Sequence, residues 1–560
     1  MTQRKCIERI TGADIEVASF VAGTDRVGGT GYEASRLILD EVQGIPASSV
    51  SSYAPAWSTA TGHQSYGGAS VTPIGYYSQD HGRKYLSTNG GCIYIDLNHP
   101  EICIPEVRSA HDHVAATHAM LRELRVAVDR ANRSLPEGQQ IEVLVNNSDG
   151  LSHSYGSHIN VLLSRTAWDA IFSHKLHYML FLASHQVSSI VYTGLGKIGA
   201  ENGHDWVDFQ ISQRADFFET LHGEQTTHRR PLVNSRDEAL CGESLPRYAA
   251  GNGRSDGEPS LAGDGLARLH CIFYDANLAH VAMLLKVGVL QIIVTMIEAG
   301  AVDSRLILED PLTAVHLWSR DLSFQTRCER ISGPSLTAIE LQRRLLDSAG
   351  RFAARGGLDG IVLRGSEILT LWADTLDKLA ARDMDALACR LDWALKLNTL
   401  ERARREHDLE WRSPEMRYLD RLYSSLDETR GLYWDYERRG LLERVVDDDR
   451  IEQLRRDPPE DTRAWGRAML LRSSQTGAQI HRVDWDSVTL DLPSRDRNGY
   501  GGRRVTVSLD DPRRWGKHDL AAVFDDGRPF GAMLGASDAD GQTSEPGVPA
   551  INGERQGVMS

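Results

Sequence analysis

The stretch NGGCIYIDLNHPEICIPE, residues 89–106, restricts the fold more tightly than any other part of the chain. From Ile93 onward the apolar Ile93, Ile95 and Leu97 alternate with Tyr94, Asp96 and Asn98. That is the period of a strand with one face in a core. A turn is expected at Asn98-His99-Pro100, followed by a second short strand. Asp96 therefore belongs to the face turned away from the core, and Glu101 and Glu106 follow close behind it. A lone strand aspartate is ordinarily a solvated residue. Carboxylates gathered on one sheet face repel each other unless a cation or a shared proton offsets the charge.

At 560 residues the chain can build more than one core, and a large domain with a smaller one is the starting expectation. The formal charge of −15 opposes a phosphate backbone, so no nucleic-acid partner is expected. The seven cysteines are scattered without a CxxC pair, which suggests reduced thiols and not a disulfide framework. The opening MTQRKCIERITGADIEV has no apolar signal region. The most apolar run, HVAMLLKVGVLQIIVTMIEAG (280–300), is interrupted by Lys286, Gln291 and Glu298. It predicts a buried helix, and the expectation is a soluble, cytoplasmic protein with no membrane partner.

A helical period runs through HDHVAATHAMLRELRVAVDRANRSL, and strands are expected at YIDL, EVLVNN, INVLL, RPLVN and LHCIFYD. Residues 335–445 read as almost wholly helical. DTRAWGRAMLLR begins a further helix, and HRVDWDSVTLDL has strand alternation. The fold class is α+β: residues 1–440 as a large domain, 441–535 as a small C-terminal α/β domain, and 536–560 as a disordered tail. The Gly- and Ser-rich 241–265 is expected to be a mobile insertion.

Several segments carry candidate chemistry. TGADIEV sets Asp14 and Glu16 two apart, on one face of a first strand. Taken alone, that pair reads as an exposed edge. NNSDGLSHSYGSHINVLL gathers Asn, His and Ser ahead of a strand, but His153 and His158 lack the spacing of a metal motif and read as loop or core histidines. RRPLVNSRDEAL ends in Arg236 and Asp237, and LHCIFYDANLAH ends in Asp275 and Asn277, while Arg463 lies in DTRAWGR. The glycines of VGGTGYEASR only loosely imitate a nucleotide loop. Strand-borne acids with separate arginines are together the kit for magnesium-nucleotide chemistry: hard oxygens hold Mg2+, and guanidinium forks hold phosphates.

The chain resembles the family of the Pup ligase and the Pup deamidase/depupylase, relatives of glutamine synthetase and the carboxylate-amine ligases. The resemblance is carried by NGGCIYID, HPEICIPEV, NNSDGLSHSYGSHINVLL, ISQRADFFE, RPLVNSRDE, ARLHCIFYDANLA, LDWALKL, RGLYWDYERRGLLERV, PPEDTRAWGR and WDSVTLDL. It implies a glutamine synthetase-like large domain with a curved antiparallel sheet cradle. It leans to the depupylase branch, because two residues separate the aspartate of YID from HPE. By this resemblance Asp96 is the catalytic acid. Asp14, Glu16 and Glu101 are metal ligands, and Arg236, Asn277 and Arg463 contact the nucleotide. ATP and Mg2+ are the implied cofactors, and a Pup-like modifier or its conjugates, within a proteasome pathway, are the implied partners.

Departures from the family pattern stand beside these matches. Asp14 is one methylene shorter than the family's glutamate, Ile159 replaces a glutamate, His280 replaces another, and Ala239-Leu240-Cys241-Gly242 stands where the family has P-H-A-D. The depupylase's acidic loop is not recognisable in 51–73. Losses in the cradle would weaken binding of at least one Mg2+. Three readings are therefore carried forward: a depupylase-like amide hydrolase, an ATP-consuming ligase, and a silent relative that binds and regulates.

Overall fold

The structure, a computed structural model, describes residues 6–24, 29–47, 80–237, 265–473, 479–492 and 503–523. The expected insertion at 241–265, apart from Gly265, the loop at 51–73, Ala239 to Gly242, and the 536–560 tail lie outside these residues, as does Val27-Gly28 of the glycine-rich stretch.

Its centre is a seven-stranded sheet. From one edge to the other, the order is Leu266–Cys271, Ser157–Ser164, Thr11–Glu16, His99–Cys103, Cys92–Asp96, Asp80–Tyr85 and Ile45–Pro46. Every neighbouring pair is antiparallel. The expected α+β class holds. Period-two alternation splits each strand between two environments. Ala13, Ile15, Ile93, Ile95, Ile102, Ile104, Ile159 and Val161 enter the main core with the helices. The opposite face carries Asp14, Glu16, Asp96 and Glu101.

The hairpin is tighter than expected. Its strands close directly on the pair Asp96 and His99, leaving a two-residue Leu97-Asn98 turn in place of Asn98-His99-Pro100. Leu97 is consequently no core residue: it adopts a left-handed φ of 51° and is 46% exposed. The physical reason is the short loop, which demands positive φ from a residue the alternation alone would have placed in the core.

The apolar run is helix His280–Glu298, buried along its whole length, and among the described residues it is the one helix long and apolar enough to cross a membrane. Each of its polar interruptions has a partner inside the protein, although Gln291 Oε1 has none. Lys286 Nζ donates to the Asp275 carbonyl at 2.9 Å, Gln291 donates to the Arg108 carbonyl at 3.2 Å, and Glu298 pairs with Arg9. Asp392 accepts the backbone N–H groups of Leu278 and Ala279 at 3.1 and 3.0 Å, at the entry to this helix. That supplies acceptors for donors a helix start leaves unpaired.

Helix Ala110–Asn132 starts on Ser109, whose hydroxyl accepts the Asp112 N–H, and the 335–445 region is helical as its pattern predicts. HRVDWDSVTLDL forms two strands of a hairpin, Gln479–Val483 and Ser487–Leu492, with Asp484 to Asp486 between them. With Arg503–Ser508 they make a three-stranded sheet. Its apolar side, with Leu470 and Leu471, shares a second core with Tyr85, Cys92, Tyr94 and Cys103 of the large sheet. The C-terminal strands thus cover part of the same face that bears the acids. No disulfide joins the six described cysteines.

Candidate functional site: a carboxylate face lined by arginines

Strand register builds the site. Glu16 lies opposite Glu101, and Tyr94 lies opposite Glu101 from the other side. One row further along, Asp14 lies opposite both Cys103 and His158. Side chains of directly paired residues project from the same face. The expected acids are therefore brought together, in two groups. Glu16, Asp96 and Glu101 each offer an oxygen, all within 4.8 Å of one another; Asp14, His158 and His270 offer ligand atoms within the same limit.

In the first group Glu101 is only 2% exposed, and its Oε2 has no hydrogen-bond partner. Burial, followed by the charges of Asp14, Glu16 and Asp96, pushes its carboxyl well above the usual range, against the opposing hydrogen bond from Tyr94. A buried acid in this position is stable as a carboxylate only with a cation beside it. Asp96 is half-buried, at the open end of the hairpin, while Glu16 and Glu101 are inside.

The second group is organised by Asn160. Its amide nitrogen donates to Asp14 Oδ1, so its carbonyl oxygen faces the other way and accepts from Arg268 Nη1 at 3.0 Å and from His270 Nδ1 at 3.1 Å. An amide oxygen only accepts, so His270 carries its proton on Nδ1 and leaves Nε2 with a lone pair. That Nε2 is buried without a partner. His158 Nδ1 lies 3.0 Å from Asp14 Oδ2. Burial opposes the charge on Asp14, but the His158 hydrogen bond and the nearby His270 and Arg268 outweigh it and hold this carboxyl well below the usual range.

Two arginines flank the acids, Arg214 buried and Arg230 half-buried. Arg214 Nη1 donates to the Tyr155 carbonyl at 2.7 Å, and Arg230 donates to the carbonyls of Thr226 and Ser154. Burial, with Arg230 as neighbour, pulls Arg214 down to about 10, while Glu16 and Asp275 act in the other direction. Asp275 fixes the turn that carries Arg214, accepting the N–H groups of Leu195 and Gln213 at 2.8 Å and the Ser212 hydroxyl at 3.0 Å. His99 stacks on Tyr155 with ring centres 4.3 Å apart, and its Nδ1 stands 3.8 Å from Glu16.

The remaining expected residues divide. Arg236 lies just past strand Arg230–Asn234, near enough for its charge to act on His270. Asn277 lies between strand Leu266–Cys271 and helix His280–Glu298, and its Oδ1 has no hydrogen-bond partner. It is buried in the scaffold, where its amide donates to the Thr193 carbonyl at 3.1 Å and to Asp392 at 2.9 Å. Arg463 is bound to the sheet and the C-terminal segment: Nε donates to Glu106 at 2.7 Å and Nη1 to the Leu509 carbonyl at 2.9 Å. Arg467 joins Glu106 from the same helix. Glu106, the third acid of the opening stretch, thus ties the C-terminal helix to the sheet, and its two arginines hold it down at about 2 against burial.

Two of the sequence departures fall outside the acid face. Ile159 alternates with His158 and Asn160 and so points into the helical core. His280 packs against His118, ring centres 4.4 Å apart, near Arg444 and Arg122. Residues the motifs did not single out are His270, Asn160, Arg268, Arg214 and Arg230. The first three had a signal in SHIN and RLHC, where polar residues recur at every second position of otherwise apolar strands. Arg214 and Arg230 had none, because a turn and a distant strand bring them in.

The Pup-ligase protein family matches residues 30–489. The Pup deamidase/depupylase of Mycolicibacterium smegmatis is 35% identical over 441 residues, covering 79% of this chain and 80% of that protein. The depupylase of Acidothermus cellulolyticus is 34% identical over 413 residues, 73% of this chain and 76% of that one. Among solved structures, the Pup ligase PafA in complex with Pup aligns with a TM-score of 0.69 at 20% identity, over 97% of this chain and 99% of that chain. PafA in complex with ADP aligns with a TM-score of 0.64 at 23% identity, over 82% and 91%. With the match spanning most of the chain, including Asp96, Glu101 and the helical block, the chain belongs to the Pup-ligase protein family.

Proposed function

We propose that this protein is an amide hydrolase of the depupylase/deamidase type, acting on a side-chain amide or isopeptide bond of a Pup-like protein with a nucleotide and Mg2+ bound on the acid face. The relatives named Pup deamidase/depupylase support the activity, and the PafA complexes with Pup and with ADP support the partner and the nucleotide. One observation carries the assignment of roles: of the three clustered acids, Glu16 and Glu101 are buried and Asp96 alone is half-buried at the hairpin end. The inner pair suits a resident cation, and the outer acid suits a substrate.

The donor set fits the implied ion. Glu16 and Glu101, with the Asp14, His158 and His270 group alongside, would hold divalent cations, and Arg236, Arg268, Arg214 and Arg230 would hold phosphate or carboxylate oxygens. The cation supplies charge screening between the carboxylates and the phosphates. Asp96 either takes the proton from the water that attacks the glutamyl carbonyl and passes it to the departing nitrogen as the C–N bond breaks, or attacks the carbonyl itself. In the second case the amine or ammonia leaves with a proton from water, and that hydroxide then cleaves the resulting anhydride to glutamate and free Asp96. Arg214, with its backbone carbonyl contact and its turn fixed by Asp275, keeps a positive charge facing Glu16 throughout. Because Ile159 and His280 lie off this face, they remove no ligand from it.

The test is to incubate the protein with Mg2+ and ATP together with glutamine-ended Pup, and separately with a Pup-lysine conjugate, following intact mass. Conversion of the terminal glutamine to glutamate, or release of the lysine partner, supports the hydrolase. Stoichiometric ATP consumption with new conjugate formation identifies a ligase instead. An unchanged substrate in a sample that still binds nucleotide overturns both in favour of a binding relative.

A further inference from the structure

Away from the sheet, the short turn Ser304–Leu306, the loop 330–333 and the helix Ala338–Ala353 enclose an open cavity of about 430 Å3. Arg305, Arg330, Arg344 and Arg351 line it, with Asp303 and Asp347. Four cations and two anions leave a net charge of +2 at this place, on a chain whose formal charge is −15. Among the described residues of the lining, one pair is internally neutralised: Arg305 grips Asp303 with two hydrogen bonds of 2.9 and 2.8 Å.

The other three guanidiniums are presented to the cavity. Arg330 is only 7% exposed. Its Nε donates to the Pro334 carbonyl at 2.8 Å and its Nη1 to the Arg305 carbonyl, so the group is fixed, while Nη2 donates to no described group. Gly333 makes room for that nitrogen. It holds a φ of +90°, and a Cβ there would stand 2.5 Å from Nη2. Arg344 and Arg351 lie seven residues apart on one helix face and are exposed, and neither forms an ion pair with a described carboxylate. Burial and the nearby Arg344 both lower the pKa of Arg330, the mark of like charges held together.

Packing gives no reason to converge unpaired guanidiniums on one opening, because each repels the next. An anion gives one. A carboxylate is saturated by a single bidentate fork, whereas a phosphate offers three oxygens to several forks at once. A phosphate monoester carries about −1.5 to −2 at neutral pH, which matches the net charge of the lining. We propose that this cavity is a binding site for a phosphate group, distinct from the carboxylate face and borne either by a small molecule or by a phosphorylated side chain of a protein.

The test titrates the full chain by calorimetry with inorganic phosphate and, separately, with a phosphoserine-containing peptide, and repeats both on an Arg344→Gln, Arg351→Gln double variant. Both side chains are exposed and unpaired, so the variant folds and melts like the wild type. The expected result is saturable binding that the double variant weakens by about tenfold or more. Much tighter binding of the peptide than of phosphate identifies a protein source, and similar binding identifies a small molecule. Equal affinities in wild type and variant, or no saturation by either probe, would overturn the proposal.

Discussion

Glu16 and Glu101 face each other across neighbouring strands, both buried, and Glu101 Oε2 has no hydrogen-bond partner. Two carboxylates in that relation repel each other unless a cation or a shared proton lies between them.

The first prediction follows from that pair. Mg2+ raises the melting temperature of the wild type, whereas Glu101→Gln, with one charge fewer to offset, is more stable than wild type without the ion and gains less when it is added. Melting curves in chelator and in Mg2+ measure both. An equal Mg2+ shift in the two proteins would remove Glu101 from the cation site.

In the proposed reading Asp96 is the acid that meets the substrate. Asp96→Asn lowers kcat by about 10²- to 10⁴-fold and leaves the dissociation constant for Mg2+-nucleotide nearly unchanged. Single-turnover mass spectrometry and nucleotide calorimetry on the same sample check the two halves.

Asn277 acts on the scaffold through Asp392 and Thr193. Asn277→Ala therefore costs about 1–3 kcal/mol of stability, the penalty for unpairing buried partners. Nucleotide affinity at temperatures well below melting stays at the wild-type level, and a large fall in it would return Asn277 to the binding site.

Glu106→Gln leaves Arg463 and Arg467 buried without their counter-charge, at a cost of about 3–5 kcal/mol. Denaturant unfolding reads this loss. The carboxyl is held at about 2, below its ordinary value, so its contribution is complete above the ordinary carboxylate range and disappears as pH falls toward that value. The gap between wild type and variant narrows accordingly on acidification.

Burial pulls His113, His185 and His280 down to about 3. Each is neutral in the folded protein and takes up a proton on unfolding once the pH drops below 6.5, its ordinary value. Stability is therefore full above that pH and declines steadily toward pH 3. His280→Phe, which keeps a ring against His118, flattens part of this slope in melts between those limits.

Much of the site was legible because period two is a strong signal. It placed Asp14 with Glu16, and it turned Asp96 away from Ile93 and Ile95. The same period was present in His158-Ile159-Asn160 but was not used: Ile159 looked like a lost ligand, although alternation alone turns it to the opposite face from His158. The protein contacts of Asn277 and Arg463 were hidden for a different reason: they are made to Asp392 and Glu106, partners more than a hundred residues away, and no local pattern encodes such a pairing. The turn at Leu97 was misplaced because two-residue loops favour glycine or asparagine, and a leucine there gives no warning.

The shared face of the large sheet has a bearing on how the protein is made. Cys92, Tyr94 and Cys103 are covered by side chains from beyond residue 469, yet they lie on the two strands that carry Asp96 and Glu101. A ribosome releases those strands hundreds of residues before their cover. Until Arg463 and Arg467 emerge, Glu106 lacks these two counter-charges and one face of the hairpin lacks its apolar cover. The nascent enzyme is thus held incomplete through most of its synthesis, and a product broken off before Thr462 carries every clustered acid but lacks the piece that seats them.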